Sequence, residues 1–210
     1  KSSALFYSHL KTKNEMACLL THGRAEVCKE FVGGIKSIYF INYGDLGAIT
    51  YDGVSPANPD ITDQIKTIAG TMSLYKYDLK GANSFEQTIT SSRENGTTFV
   101  EQTLTFTIKG LDATTAKQMK LLAWGRPHVV IKTNANNFFL AGLNHGMDVT
   151  TALISNGTAM GDLNGFTLTL VGQEPINANF LNVASPYADA DLVGAGKVFT
   201  ALTTANIITS

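Results

Sequence analysis

Residues 85–109 read FEQTITSSRENGTTFVEQTLTFTIK, and the way this stretch folds back on itself decides the fold. Asn95-Gly96 is the strongest two-residue hairpin signal in the chain, because a type I′ turn needs a positive φ at both central residues. A turn centred there sets Glu94 opposite Thr97, then Thr90 opposite Glu101, Thr88 opposite Thr103 and Glu86 opposite Thr105. On the other face Ile89 meets Gln102, Gln87 meets Leu104 and Phe85 meets Phe106. Turn and alternation agree, since one face collects Phe85, Ile89, Leu104, Phe106 and Ile108 and the other collects Glu, Thr and Lys. A slip by one residue would exchange the faces. The expected product is a long two-stranded arm whose outer part, Ser91 to Phe99, carries little apolar material and projects beyond the core. A lone hairpin is marginal in water, so the arm wants other strands or another subunit beside it. The residues expected to meet that neighbour are Phe85, Glu86, Thr88, Arg93, Glu94, Asn95, Gly96, Phe99, Glu101 and Thr103.

Working outward, Ile35 to Ile41 is β-branched and aromatic, with Gly33-Gly34 before it and Asn42-Tyr43-Gly44-Asp45 after it, which reads as a strand. Residues 52–63 (DGVSPANPDITD) are a loop by composition. Ile65 to Ile68 and Met72 to Tyr77 give two short strands. Beyond the arm, Gly110 ends the strand and Asp112 is a good N-cap for ATTAKQMKLLAW. Leu111, Thr115, Met119 and Leu122 form one helical stripe, with Ala116 and Ala123 beside it. Gly125 stands where a C′ glycine ends a helix, and Pro127 prevents resumption. Lone Trp124, at the end of this helix, is expected to plug the core. HVVIKT and FFLAGL, joined by Asn134-Ala135-Asn136-Asn137, form a second hairpin. Met147 to Ser155 and Phe166 to Val171 are strands, the second closed by Pro175. Residues 182–210 are a C-terminal extension or final strands, and residues 1–15 an N-terminal extension. The expected fold is mainly β, an antiparallel β-sandwich or partial barrel over residues 16–181 with one packed α-helix and a protruding hairpin.

The chain has 210 residues, 44% of them hydrophobic and only 16% charged, with a net charge of −1. A sizeable core is therefore available, and copies of this surface repel one another weakly. Lys and Arg are scattered, so no nucleic-acid footprint is visible. No apolar run approaches a membrane span, and residues 1–15 lack the apolar stretch of a signal peptide. Two cysteines, Cys18 and Cys28, make no disulfide framework. His22 follows Cys18 by four, but the paired cysteine knuckle of a zinc site is missing.

Catalytic sets are equally sparse. His145 has Asp148 three residues on and Ser155 nearby, without the G-x-S-x-G elbow that would localise a nucleophile. Glu101 is the other carboxylate considered for His145. His128 is expected to hydrogen-bond backbone. Glu86, Glu94 and Glu101 lie on an exposed arm with no aromatic cleft for glycoside hydrolysis. Asp162-Leu163-Asn164-Gly165 resembles part of a calcium loop, yet Met160 and Leu170 occupy its first and last ligand positions, and a tight turn explains it. Gly33-Gly34 lacks the Lys-Ser or Lys-Thr of a P-loop. Tyr39, Tyr43, Tyr51, Tyr75 and Tyr77 cluster in the first third and leave open a binding module for carbohydrate or a host surface, with Tyr43 and Tyr51 as the residues to test. No metal or cofactor is expected.

The segments GRAEVCKEFVGGIKSIYFINYG, FVEQTLTFTIKGLDATTAKQMKLLAWGRPHVVI and FFLAGLNHGMDVTT…GTAMGDLNGFTLTLVGQEPINANF resemble small structural proteins of tailed bacteriophages, often of Bacteroidetes hosts. The resemblance covers Met16 to Leu181. It implies a tail-tube or tail-ring subunit without catalytic residues: a β-sandwich with a flanking helix and a hairpin reaching the neighbouring subunit. It also implies a homo-oligomeric ring, hexameric by expectation, assembled in the host cytoplasm and located in the virion tail with other tail proteins. DNA would be met only in passing through a lumen lined by Thr, Glu and Asn.

Overall fold

A computed structural model of the chain describes residues 23–26, 29, 32–52, 64–183 and 188–209. The chain divides into two compact units, Lys1–Glu30 and Phe31–Ser210, and every element below belongs to the second. Cys18, His22, Cys28 and most of the loop at 52–63 lie outside the described residues.

The fold is mainly β, with antiparallel sheets, one helix among the described residues and no closed barrel. A six-stranded sheet is built around β1 (Ile35–Ile41), flanked by β4 (Leu74–Asp78) and β7 (His128–Thr133). Next to β7 come β8 (Phe138–Ala141) and β11 (Asn179–Phe180), and β12 (Ile207–Ile208) joins β4 in parallel. A four-stranded sheet runs β5 (Ser84–Ser92), β6 (Thr97–Lys109), β10 (Gly165–Glu174), β9 (Asp148–Ser155). β2 (Ile49–Asp52) and β3 (Gln64–Ile68) make a separate pair.

β1 is apolar almost throughout because both of its faces are buried. Ile38 and Phe40 meet Leu104, Phe106, Phe166 and Leu168 from the four-stranded sheet. Tyr39 and Ile41 face the other way, into a second core with Ile65, Ile68, Val193, Phe199 and Leu202. A strand covered on both sides reads as a continuous hydrophobic run, whereas β10 alternates because only one of its faces is covered. The segment after 181 is thus part of the core despite its weak pattern. It is tied down by Asp189, which accepts hydrogen bonds from the Tyr39 hydroxyl (2.5 Å) and the Lys76 ammonium (2.8 Å) on neighbouring strands. Burial opposes ionisation of Asp189, yet the bonds from Lys76 and Tyr39 hold its carboxyl below the usual carboxylate range.

The helix, α1 (Ala113–Trp124), begins where expected, with the Asp112 carboxylate accepting from the Thr115 N–H at 2.8 Å. Two expectations fail at its other end. Gly125 closes the helix in an extended conformation (φ −95°), not a left-handed one. Trp124 is 86% exposed. The buried side of α1 is centred on Met119, and a residue five positions later points about 140° away from it.

The hairpin departs from its expected register. Ser92 and Thr97 are the last paired residues, so the loop is the four residues Arg93-Glu94-Asn95-Gly96. Only Gly96 has a positive φ, 64°; Asn95 does not, so the two-residue type I′ turn is not formed. Every pair shifts by two: Phe85 opposes Leu104, Gln87 opposes Gln102 and Ile89 opposes Val100. Matched apolar and matched amide pairs replace the mixed Ile–Gln and Gln–Leu pairs of the shorter turn, and cross-strand pairs of this kind stabilise a sheet. Because the shift is even, both faces keep their composition.

Candidate functional site

The four-stranded sheet has a covered face and an open one. Its open face carries Thr103, Thr105 and Thr107 on β6 beside Thr167 and Thr169 on β10. The hydroxyls of Thr105 and Thr169 lie 3.3 Å apart and those of Thr107 and Thr167 3.2 Å apart, a ladder of hydrogen bonds across the two central strands. Glu86 and Thr88 on β5 extend this face opposite Thr103 and Glu101.

Among the described residues β5 pairs only with β6, and β9 only with β10, so both lateral edges of the sheet are without a strand partner. β5 is nine residues long, in unbroken register, with no Pro and no Lys. Natural edge strands are blunted by interruptions and charges of this kind, of which β5 carries one, Glu86. β9 has no Pro or Lys either, but its register shifts once against Thr169/Leu170.

The residues expected at an interface fall into three groups. Arg93, Glu94, Asn95 and Gly96 form the exposed loop, beyond the point where β10 ends opposite Val100. Glu86, Thr88, Glu101, Thr103 and Phe99 share the open face, the first two exposed and the others half-buried. Phe85 is set apart from them, because it points to the covered face and packs at 6.2 Å from the Phe139 ring. The arm is also anchored by two glutamines that sequence reasoning did not single out. Gln102 is buried; its amide oxygen accepts from the Gly142 N–H (2.9 Å) and its amide nitrogen donates to the Ile176 carbonyl (3.3 Å). Gln87 accepts from the Ala178 N–H at 2.7 Å. Their only signal was polarity at positions where the alternation demanded apolar residues.

The histidines take structural places. His128 is buried, its Nε2 accepts from the Gly44 N–H (3.3 Å), and its Nδ1–H therefore donates to the Gly142 carbonyl (2.6 Å). Burial lowers its pKa, outweighing the Gly142 bond and the charge of Glu174. His145 stands 3.5 Å from Glu174, not against Asp148 or Glu101. The Glu174 side chain is fully buried and accepts from the backbone N–H groups of Asn144 (3.0 Å) and His145 (2.7 Å), a staple for the loop after β8. Asp162 accepts from the Thr158 and Ala159 N–H groups (2.9 and 2.7 Å), which is the tight turn expected of that loop. The ring of Tyr43 is stacked on His128 and lies under the Arg126 guanidinium, contacts that compete with stacking by a sugar.

No family model matches the chain, and neither a curated protein nor a solved structure does. Among the described residues no helix is long and apolar enough to cross a membrane.

Proposed function

We propose that this chain is a non-enzymatic virion structural protein, a subunit of a phage tail tube or tail ring whose copies join side by side through the edges of the four-stranded sheet. The observation that carries the assembly reading is the pair of edges that have no strand partner among the described residues, β5 on one side and β9, which α1 touches, on the other. Adjacent strands in this sheet alternate in direction, so β9 runs opposite to β5. A neighbour brought up in the same orientation would therefore set its β5 antiparallel to β9 and continue the sheet without a break. Such an interface is head to tail, and a head-to-tail interface closes into a ring when its rotation permits. The threonine face would then form one continuous polar wall, suited to a wet lumen, and the loop Arg93–Gly96 would reach the adjoining subunit. The phage setting, the hexameric order, the other tail proteins and the location in the virion rest on the resemblance of the sequence segments.

Light scattering on the purified chain, with negative-stain imaging, tests the proposal. Rings or short tubes with a central lumen are the expected result. A chain that stays monomeric at high concentration and forms no rings would overturn it.

A further inference from the structure

A cavity of about 380 Å³ opens between α1 and the face of β1 and β4 that the four-stranded sheet leaves uncovered. Its floor is aromatic, with Phe40 and Tyr77 packed edge to face at 5.6 Å and Tyr75 beside them. Met119 and Leu122 of the helix form an apolar wall. At the rim the Arg126 guanidinium lies 4.5 Å over the Tyr43 ring.

Of the polar groups at this cavity, the Tyr43 hydroxyl donates to the Asn144 carbonyl (3.0 Å), and several others are unspent. Among the described residues no carboxylate lies within ion-pair distance of Arg126, and no acidic residue lines the cavity. The Tyr75 and Tyr77 hydroxyls and the Gln118 amide likewise take no partner from the described residues. An apolar pocket with a few convergent polar groups is the usual form of a small-molecule site, and the volume lies in the usual range. The guanidinium is held in place by the tyrosine ring, so its planar fork is preorganised for a carboxylate. We infer that this cavity binds a small organic acid, a flat apolar body bearing one carboxylate. The body lies against Tyr75, Tyr77 and Leu122 and the carboxylate pairs with Arg126. This inference does not rest on the assembly reading, although α1, which walls the cavity, also touches β9.

The test is isothermal titration calorimetry of the full chain with naphthalene-1-acetate and, separately, its neutral amide. Saturable one-to-one binding of the acid is expected, with the amide about tenfold or more weaker because it lacks the charge-assisted pair. Arg126 is exposed, so Arg126→Gln leaves folding intact; it should bring the acid down to the level of the amide and leave the amide unchanged. Leu121→Trp, at a half-exposed position on the cavity wall, should weaken both by filling the space. Equal binding of acid and amide, indifference of the acid to Arg126→Gln, or no saturable heat from either probe at millimolar concentration would overturn the inference.

Discussion

Two proline substitutions at neighbouring positions of β5, Thr88→Pro and Ile89→Pro, separate the strength of the monomer from the strength of the assembly. Consecutive residues of a strand direct their N–H groups to opposite sides, so one of these two donates to β6 and the other points out of the sheet. Pro removes the donor at either site, but only the inward one is part of the ladder within the subunit. That variant should lose about 1–3 kcal/mol of monomer stability from the broken bond and its stranded acceptor. The outward variant should stay within about 0.5 kcal/mol of the parent, as surface changes do. Across an interface that pairs β5 with the eight residues of β9, about eight backbone hydrogen bonds are available, worth about 0.5–1.5 kcal/mol each before the cost of association. A proline in the middle of that ladder removes one bond outright and holds its neighbours apart sterically, so the outward variant should remain monomeric. Urea unfolding and light scattering on both variants provide the readout. If the variant with parental stability still assembles like the parent, β5 is not the joining edge. If both variants lose stability alike, β5 is not an edge at all.

Three further outcomes follow from the geometry. Gly96→Ala should cost about 1–2 kcal/mol in urea unfolding, because Gly96 holds φ +64°, while Asn95→Ala should stay within about 0.5 kcal/mol. His128 has a folded pKa below its unfolded value of about 6.5; the unfolded chain therefore takes up its proton first as the pH falls. Stability contributed by neutral His128 is present above pH 6.5 and should decline below it by up to about 1.4 kcal/mol per pH unit, a slope that His128→Gln removes in pH-dependent unfolding. Asp189→Asn should cost about 2–3 kcal/mol by weakening its bonds to Lys76 and Tyr39. Since the Asp189 carboxyl is held below the usual range, the parent's advantage over this variant should persist above about pH 4 and fade as the pH drops further.

What the sequence made legible was local. The strands β1, β6, β7 and β10 and the helix after Asp112 follow from alternation, β-branching and one side-chain cap, all readable within a dozen residues. The fate of Trp124 was not readable in this way. Its burial depends on which side of α1 meets the sheets, and the weak apolar stripe on the helix leaves that to tertiary packing. The C-terminal segment was illegible for a similar reason. Its buried residues Val193, Phe199 and Leu202 are held by a carboxylate, Asp189, reaching strands more than a hundred positions earlier, and no local period records such a contact. The register of the arm lies between these cases. The parity of the pairing was legible because it decides which face is oily, whereas the choice between a two-residue and a four-residue loop rests on the backbone of Asn95.

The proposed assembly surface illustrates why neither kind of information suffices alone. The composition of β5, Ser-Phe-Glu-Gln-Thr-Ile-Thr-Ser-Ser, is unremarkable for a strand in the middle of a sheet, where no Lys or Pro is needed and a Pro would be harmful. Nothing in the sequence places it at an edge, because the order β5-β6-β10-β9 is set by pairings as distant in sequence as Val100 with Glu174. Once the topology places it there, the same composition becomes informative: among the described residues its nine residues of regular backbone have no second strand beside them, and Glu86 is the one charge they carry. On the inner face of β5, Phe85 is half-buried, Ile89 is 66% exposed and Gln87 accepts from the Ala178 N–H. A strand joined to its own subunit by one ladder, one aromatic contact and the Gln87 bond to Ala178 stands to gain from a second ladder, and β9, running in the opposite direction at the far side, is the strand that would supply it in the proposed assembly.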